Sequence, residues 1–397
     1  MIIGIGLKKG AKMIKSIFLK NLLINTVFKG LSLLNGVIKK DPNTILLYSD
    51  TDFRDNTRYL YQHLIENHYN DQYKIICAVK NDQDFAGESV KNVSFVKPMQ
   101  GVKAYLTSGH VFYSFGKIPI VPGKNQYVMQ MWHGTSFKGF AENQTKTNSQ
   151  KTQFYTHVFA SSEYFKPIVQ KKFSCAPDRV FVCGHPRTDM LYKTEPKYDL
   201  GEFKKIIVWL PTFRKSSFLG MSDGDANMLI PLFDVEDLEQ LDTFLAGINV
   251  KVIVKLHPAQ DVSEINVDRF THLDLMTHKQ FMKNQYDLYA LLRHADALVT
   301  DYSSVFYDYL LLNRPIGFTE DDVDSYKDSR GFAVDPDAFR PGMRLRTKAD
   351  FYQFVQLLAE GKDAFQEARN QINCLSNEYQ DGHNCERALK ASHIERS

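Results

Sequence analysis

Short apolar segments alternate with amphipathic segments from Asp41 onward. Apolar residues at helical spacing predict helices over residues 56–69 and 98–108. The remaining apolar segments predict five strands: TILLYS (44–49), YKIICAV (73–79), VSFV (93–96), HVFYSF (110–115) and YVMQMWH (127–133). Strands that alternate with helices in this way predict a parallel sheet flanked by helices.

A second series of strands begins near Lys204. It comprises residues 204–211, 249–258, 273–276 and 295–301. These apolar runs are continuous rather than alternating, as expected for strands that are buried on both faces. The pattern predicts an α/β fold with two doubly wound, Rossmann-like domains facing a central cleft, over residues 41–195 and 204–365. A last helix within residues 366–397 is expected to cross back to the first domain.

The region before Asp41 has a different pattern. Residues 11–38 carry apolar side chains at helical spacing, and no acidic residue occurs before Asp41. The polar positions include Lys8, Lys9, Lys12, Lys15, Lys20 and Lys29. Residues 1–40 are therefore predicted to form a basic amphipathic helix on an anionic membrane surface; the alternative is a helix packed on the protein body. The lysines interrupt any apolar run of the roughly eighteen residues that a transmembrane helix needs, and they fit a cleaved signal peptide poorly.

Composition narrows the choice of function. The 397 residues are 43% hydrophobic, which suits two cores better than one. A formal net charge of +3 is low for a nucleic-acid-binding protein, so no nucleic-acid partner is expected. The five cysteines are odd in number and lack C-x-x-C spacing, which argues against a disulfide framework and a zinc site. We expect reduced thiols in a cytosolic protein.

Polar residues gather where predicted strands end, and ligands bind at those ends in folds of this class. The first group is His133 and Gly134, after a strand of the first domain. The glycine lets the backbone turn sharply, and the imidazole then faces the cleft as a candidate general base. The alternative is a structural histidine that caps the strand.

Two loops of the second domain carry groups suited to phosphate. Lys255 and His257 stand at the end of one predicted strand, and Thr212 and Arg214 follow another. Ammonium, imidazole, hydroxyl and guanidinium groups all bind phosphate oxygens. The alternative in each case is a strand-end turn with solvated polar groups.

The most informative segment runs from a strand through Asp301 into VFYDYLLL (305–312). Ser303 and Ser304 fall at the start of the predicted helix, where free amides and the positive dipole end favour an anion. The same residues can cap the helix, and capping is compatible with phosphate binding. Asp308 either faces a nucleotide ribose or lies on the solvated face.

Two further arginines are weaker candidates. Arg187 lies in the turn-rich segment 184–189, and Arg330 lies in a loop near the predicted donor site. The signatures G-x-G-x-x-G and G-x-x-x-x-G-K-[ST] are absent where they would matter, which disfavours a dehydrogenase or a P-loop NTPase. The layout indicates a two-domain transferase with the nucleotide donor in the C-terminal half and the acceptor in the N-terminal half.

The combined motifs resemble the CDP-glycerol glycerophosphotransferase family of teichoic acid and capsule synthesis. The similarity covers roughly residues 110–385, in the motifs WHGTSFKGF (132–140), GHPRTDMLY (184–192), WLPTFR (209–214), VKLHP (254–258), VTDYSSVFYDYLLLNRPIGF (299–318) and RGF (330–332). The resemblance implies a GT-B fold and a peripheral membrane enzyme without a bound metal or other cofactor.

The resemblance also implies residue roles. The WHG and HP histidines are the family's functional pair, which makes His133 and His257 the expected catalytic residues. The donor pyrophosphate region corresponds to Thr212, Arg214, Ser303 and Ser304, with Asp301 nearby. Two departures can alter which polyol or acceptor is used: Ser136–Phe137 stands where relatives often have Pro-Leu, and Arg340 stands where an acidic residue is common.

The expected reaction moves glycerol phosphate from CDP-glycerol to a lipid-linked or polymeric acceptor, a teichoic acid or capsular polymer, and releases CMP. The expected location is the cytoplasmic face of the cell membrane. The alternatives are a CDP-ribitol enzyme, a GT-B nucleotide-sugar glycosyltransferase and an inactive scaffold. The sequence leaves open the acceptor, the oligomeric state and the choice between a primase and a polymerase.

Overall fold

Two parallel sheets dominate the protein. The structure, a computed structural model, describes residues 24–49, 53–85, 87, 89–114, 116–137, 154–194, 198–211, 215–216, 221–222, 230–256, 269–320 and 332–396. Each sheet has buried apolar clusters on both faces. The predicted fold class, α/β with two doubly wound domains, is confirmed.

The first sheet has, within the described residues, the strand order β3-β2-β1-β4-β5-β6-β7, and all neighbours are parallel. Its strands are β1 (Asp41–Tyr48), β2 (Lys74–Ala78), β3 (Val93–Val96), β4 (Ser108–Tyr113), β5 (Tyr127–Gln130), β6 (His157–Ala160) and β7 (Val180–Val182). Its helices are α1 (Lys29–Val37), α2 (Asn56–Glu66), α3 (Pro98–Tyr105) and α4 (Lys166–Phe173). In β1, Ile45 and Leu47 enter one apolar cluster while Leu46 and Tyr48 enter the other, which explains the continuous apolar run.

The second sheet has, in the described part of the chain, the parallel order β12-β11-β8-β13-β14-β15. Its strands are β8 (Lys205–Leu210), β11 (Val250–Lys255), β12 (Leu273–Met276), β13 (Ala297–Thr300), β14 (Ile316–Thr319) and β15 (Met343–Leu345); β9 (Lys215–Ser216) and β10 (Met221–Ser222) form a small antiparallel pair. The helices are α5 (Leu238–Gly247), α6 (His278–Lys283), α7 (Leu288–His294), α8 (Val305–Tyr309) and α9 (Lys348–Ala359). The carboxyl ends of β8, β11 and β13 therefore lie at one edge of this sheet.

Two further helices, α10 (Gln366–Ser376) and α11 (Asn384–Ala391), follow the second sheet. Helix α11 adds Cys385, Ala388 and Leu389 to the apolar cluster that contains Ile45 of β1. The backbone N–H groups at the start of α11 donate to the carboxylate of Asp189, at 2.8 and 2.7 Å. The last part of the chain thus packs against the first domain.

Several boundaries differ from the sequence prediction. The helix predicted over 56–69 ends at Glu66, and the strand predicted over 127–133 ends at Gln130. Strands β6, β7, β14 and β15 have only three or four residues each and were not predicted. Of the predicted N-terminal helix, residues 1–23 lie outside the described part, residues 24–28 are π-helical and α1 follows. Among the described residues, no helix has the length and apolar character to cross a membrane.

Candidate active site in the cleft between the domains

The turn after β5 carries His133. Trp132 has φ of +59° and Gly134 has φ of +128°, so the chain leaves the sheet abruptly. The Trp132 N–H donates to Oε1 of Gln130 at 3.0 Å, and its carbonyl accepts from Nδ2 of Asn56 at 2.8 Å. A left-handed backbone at a bulky residue costs about 1–3 kcal/mol and persists where its surroundings impose it. The backbone of this turn is therefore held from both sides.

The imidazole of His133 lies half-buried in the turn. Its ring centroid is 4.0 Å from that of Trp132. Burial lowers the pKa of His133 to about 4; Asp55 opposes this shift, and the positive charges of Lys172 and Arg187 add to it. At neutral pH the ring is therefore uncharged and able to accept a proton, as a general base must.

Lys172, in α4, supplies positive charge beside this turn. Its Nζ lies 4.1 Å from the centroid of the Trp132 ring and donates to Oγ of Ser136 at 3.3 Å. Burial lowers the pKa of Lys172 to about 7. The side chain therefore changes charge near neutral pH, close to His133.

Ser303 and Ser304 lie between β13 and α8, opposite the His133 turn. A Cβ placed on Gly134 would lie 2.7 Å from Oγ of Ser304 and 2.7 Å from Nη2 of Arg187. The two domains thus meet at Gly134. Helix α8 has only five residues before a 3₁₀ turn, so its dipole is weaker than a longer helix would give. In the described part of this loop, the serine hydroxyls and the backbone amides are the groups that can bind an anion.

Lys255 ends β11 on the same side of the cleft. Its side chain is partly buried, and its Nζ lies 5.3 Å from the centroid of the Phe281 ring. Burial lowers the pKa of Lys255, and the positive charge of Arg54, from the first domain, lowers it further. Two cations from different domains thus lie close enough to repel each other, and an anion between them would relieve that repulsion.

Asp308 does not face the cleft as predicted for a residue that binds ribose. It is fully buried, and its Oδ2 accepts from Nε and Nη2 of Arg187 at 3.0 and 2.6 Å and from the Tyr289 hydroxyl at 2.5 Å. Asp301 is also fully buried. We assign Asp308 to a contact between the domains rather than to the donor.

Four predicted site residues lie outside the part of the chain that the structure describes: Thr212, Arg214, His257 and Arg330. Their roles stay predictions from the sequence. Among the described candidates, the fold brings His133, Gly134 and Arg187 together with Ser304.

Sequence reasoning missed Arg54, Asp55, Asn56 and Lys172. Asp55 is the N-cap of α2, with φ of +65° and a bond from the Asn56 N–H to Oδ1 at 2.7 Å. A D-N pair before an amphipathic helix is a capping signal that the sequence does contain. Lys172 gives no such signal, because its role depends on a contact with Trp132 that is remote in sequence.

The two departures from the family pattern contact each other at the domain boundary. Phe137 is buried, with its ring centroid 5.2 Å from Phe306 and 5.0 Å from Phe332. The guanidinium carbon of Arg340 lies 5.9 Å from the Phe137 ring centroid, and its Nη2 lies 2.5 Å from Oε1 of Glu320. Both side chains are therefore structural parts of this boundary.

A solved structure with the same architecture is that of the wall teichoic acid polymerase TagF. The match has a TM-score of 0.74 and 21% sequence identity, and it covers 98% of this chain and 97% of that chain. Together with the two sheets and the cleft between them, this places the chain among proteins of the GT-B fold.

The sequence model of one family, described as CDP-glycerol:poly(glycerophosphate) glycerophosphotransferase, matches residues 31–392. The chain belongs to this family, and the resemblance seen in its motifs is confirmed.

Curated proteins that are similar in sequence to this chain are named as enzymes of teichoic acid synthesis. A teichoic acid poly(glycerol phosphate) polymerase of Bacillus spizizenii is 27% identical over 344 residues, which are 79% of this chain and 82% of the relative. A teichoic acid glycerol-phosphate transferase of Staphylococcus aureus is 26% identical and matches 88% of this chain and 92% of the relative. A teichoic acid poly(ribitol-phosphate) polymerase of Bacillus spizizenii is 26% identical and matches 82% of this chain, which spans only 52% of that longer relative.

Proposed function

We propose that this protein transfers glycerol phosphate from CDP-glycerol to a membrane-anchored teichoic acid or capsular polymer and releases CMP. The observation that carries the proposal is the uncharged His133, held at the cleft where Gly134 meets Ser304 of the second domain. Family membership supplies the class of donor. In this cleft the acceptor hydroxyl would lie between His133 and the diphosphate of the donor.

In the proposed reaction, the terminal hydroxyl of the acceptor gives its proton to His133. The oxygen attacks the β-phosphorus of CDP-glycerol in line, a new oxygen–phosphorus bond forms, and the bond to the bridging oxygen breaks. CMP leaves with that oxygen. Charge on the phosphoryl oxygens must be stabilised by fixed positive groups, which supply most of the rate in phosphoryl transfer.

The positive groups in the described part of the cleft come from both domains. The positive charge of Arg54 acts on Lys255, and Lys172 lies beside the His133 turn. We assign the donor diphosphate to Lys255, Ser303 and Ser304, and the predicted roles of Thr212, Arg214, His257 and Arg330 extend the same site. Binding of that anion raises the pKa of His133 toward neutrality, which makes the histidine a stronger base.

Helix α1 supports the proposal that the protein lies on the cytoplasmic face of the cell membrane. Its buried Asn35 donates to Oε1 of Gln126 at 2.9 Å and so ties the helix to the first domain. Leu33 and Val37 remain 73% and 81% exposed, beside the basic Lys29 and Lys39. Exposed apolar side chains next to lysines suit an anionic bilayer surface.

The test is CMP release by the purified full chain from CDP-glycerol, with and without a lipid-linked acceptor. CDP-ribitol and UDP-sugars are assayed in parallel, because relatives of both glycerol and ribitol type match the chain. Acceptor-dependent CMP release from CDP-glycerol supports the proposal, and product length then separates a primase from a polymerase. Turnover with CDP-ribitol alone changes the substrate but not the mechanism. Turnover with a UDP-sugar alone, or with no donor, overturns the proposed function.

A further inference from the structure

One buried guanidinium joins three elements around the candidate base. Nη1 of Arg187 donates to Oδ1 of Asp55 at 2.9 Å and to the His133 carbonyl at 3.0 Å. Its Nε and Nη2 both donate to Oδ2 of Asp308 at 3.0 and 2.6 Å. The Arg187 side chain is 6% exposed, so each of these bonds forms away from solvent. The first domain supplies Asp55 and His133, and the second supplies Asp308.

The backbone of Arg187 extends this network. Its N–H donates to Oδ1 of Asn56 at 3.1 Å, and Nδ2 of Asn56 donates to the Trp132 carbonyl at 2.8 Å. The carbonyl groups of Trp132 and His133 are thus both held, one by Asn56 and one by the guanidinium. Since these two peptide units set where the Cα–Cβ bond of His133 points, Arg187 determines the direction of the imidazole.

The buried charges around Arg187 indicate that this network has a role beyond stabilising the fold. Asp308 is fully buried, and its Oδ1 has no hydrogen-bond partner among the described residues. Burying an ion pair costs desolvation, and well-packed apolar side chains often replace such pairs without loss of stability. What apolar side chains cannot reproduce is the directed fork of bonds from one guanidinium to two domains.

We propose that Arg187 is a positioning residue that holds the His133 turn at a fixed distance from the donor side of the cleft. The proposal rests on the proposed function in so far as it takes His133 as the base. The Gly134 turn, which packs against both Arg187 and Ser304, has room only for a hydrogen, which shows how closely the two sides are held.

The first test variant is Arg187→Lys, which keeps the buried charge but loses the fork. We expect kcat for CMP release to fall about 10- to 100-fold with the KM for CDP-glycerol changed less than about threefold, because small misplacements of a reacting group have effects of this size. The matched control is Tyr59→Phe, which removes another buried bond between the domains, from the Tyr59 hydroxyl to Asp287 at 2.5 Å, without touching the His133 turn. The control should keep kcat within about twofold.

A second variant, Arg187→Met/Asp308→Asn, removes both charges and leaves an amide oxygen to accept from Tyr289. Its readout does not depend on turnover: the NMR titration of the His133 ring, assigned with His133→Ala. Since the Arg187 charge and the burial both lower the pKa of His133, the double variant should titrate at higher pH than the wild type. A kcat for Arg187→Lys within twofold of wild type overturns the positioning role, and so does an unshifted titration in the folded double variant. If the wild type turns over no donor, the proposed function fails, while the titration still tests whether Arg187 and His133 are coupled.

Discussion

Two of the contacts between the domains lie near His133, and one is polar while the other is apolar. Around Arg187, directed polar bonds run to Asp55, to the His133 carbonyl and to Asp308. Around Phe137, aromatic rings from the second domain pack face to edge with little directional demand. Apolar burial supplies free energy over a range of geometries, whereas the polar fork fixes one geometry. At this cleft, the residues that hold the two domains together therefore differ from the residues that fix their alignment.

The largest expected effect on kcat comes from replacing His133, whose backbone carbonyl accepts a bond from Arg187. His133→Ala should lower kcat about 10²–10⁴-fold, because a general base contributes a factor of that size. The matched control is His157→Ala, a half-buried histidine in β6 whose pKa is also lowered by burial but whose ring packs on Phe181 of β7, with the ring centroids 4.6 Å apart. CMP release per folded molecule measures both. Near-normal turnover of His133→Ala would show that His133 is not the general base, and the contact at Arg187 would then have no base to position.

Truncating a side chain in the apolar contact should lower the free energy of unfolding more than it lowers kcat. Phe137→Ala should lower the free energy of unfolding by about 3–5 kcal/mol, as large core truncations do. Its backbone carbonyl still accepts from the Ala333 N–H at 2.9 Å, so the turn should keep its place. Urea unfolding measures the loss, and kcat per folded molecule should change less than about tenfold. Phe137→Leu, which keeps a large apolar side chain, is the control and should cost less than about 1.5 kcal/mol.

If Phe137→Ala lost activity as strongly as Arg187→Lys while remaining folded, the division between adhesion and alignment would be wrong.

The pH dependence of kcat/KM reports the protonation of His133 and Lys172, which lie beside the polar contact. His133 is neutral above a pKa of about 4, and Lys172 is protonated below a pKa of about 7. If the reaction needs both states, kcat/KM for the free enzyme is bell-shaped, with an acid limb from His133 and an alkaline limb from Lys172. Lys172→Met should lower kcat/KM at pH 6 about tenfold, through the loss of a charged contact to phosphate, and should abolish the alkaline limb. An alkaline limb that persists in Lys172→Met would assign it to another group.

The smallest effect is expected for another polar contact between the domains, the bond from the Tyr59 hydroxyl to Asp287. Tyr59→Phe should lower the free energy of unfolding by about 0.5–1.5 kcal/mol, which is the usual worth of one hydrogen bond. Asp287 still accepts from the backbone N–H groups of Tyr289 and Ala290, at 3.1 and 3.0 Å, so it stays paired. Thermal unfolding in parallel with Phe137→Ala makes the comparison direct. A loss as large as that of Phe137→Ala would show that polar bonds also carry the adhesion.

The sequence predicts the fold well where a strand is long and apolar. Strands such as β1, β8 and β11 have six or more residues, and the continuous burial of parallel strands appears directly in their composition. In the two parallel sheets, the shortest described strands are β7 and β15, which have three residues each and are too short for any periodicity to appear. Their place is set by pairing with neighbours rather than by their own pattern.

The candidate site also contains residues that a local sequence signal predicts and residues whose surroundings depend on remote parts of the chain. His133 could be found because a histidine and a glycine follow a strand, which is a local signal. Asp308 was misplaced because its position in a helix gives no direction: its burial depends on Arg187 and Tyr289, which are far away in the sequence. Arg187 is only a weak candidate in the sequence for the same reason, although its guanidinium binds Asp55, the His133 carbonyl and Asp308.

Helix α11 imposes an order on folding. Its residues Cys385 and Leu389 share a core with Ile45, so the first domain lacks part of its interior until the second domain has been synthesised. Its first N–H groups also bind Asp189, two residues after Arg187. Domains generally fold as units during synthesis, from the N-terminal side onward. Here the first domain gains its last helix only after the second domain has been made, so the packing around Asp189 is complete only in a molecule that already has both halves.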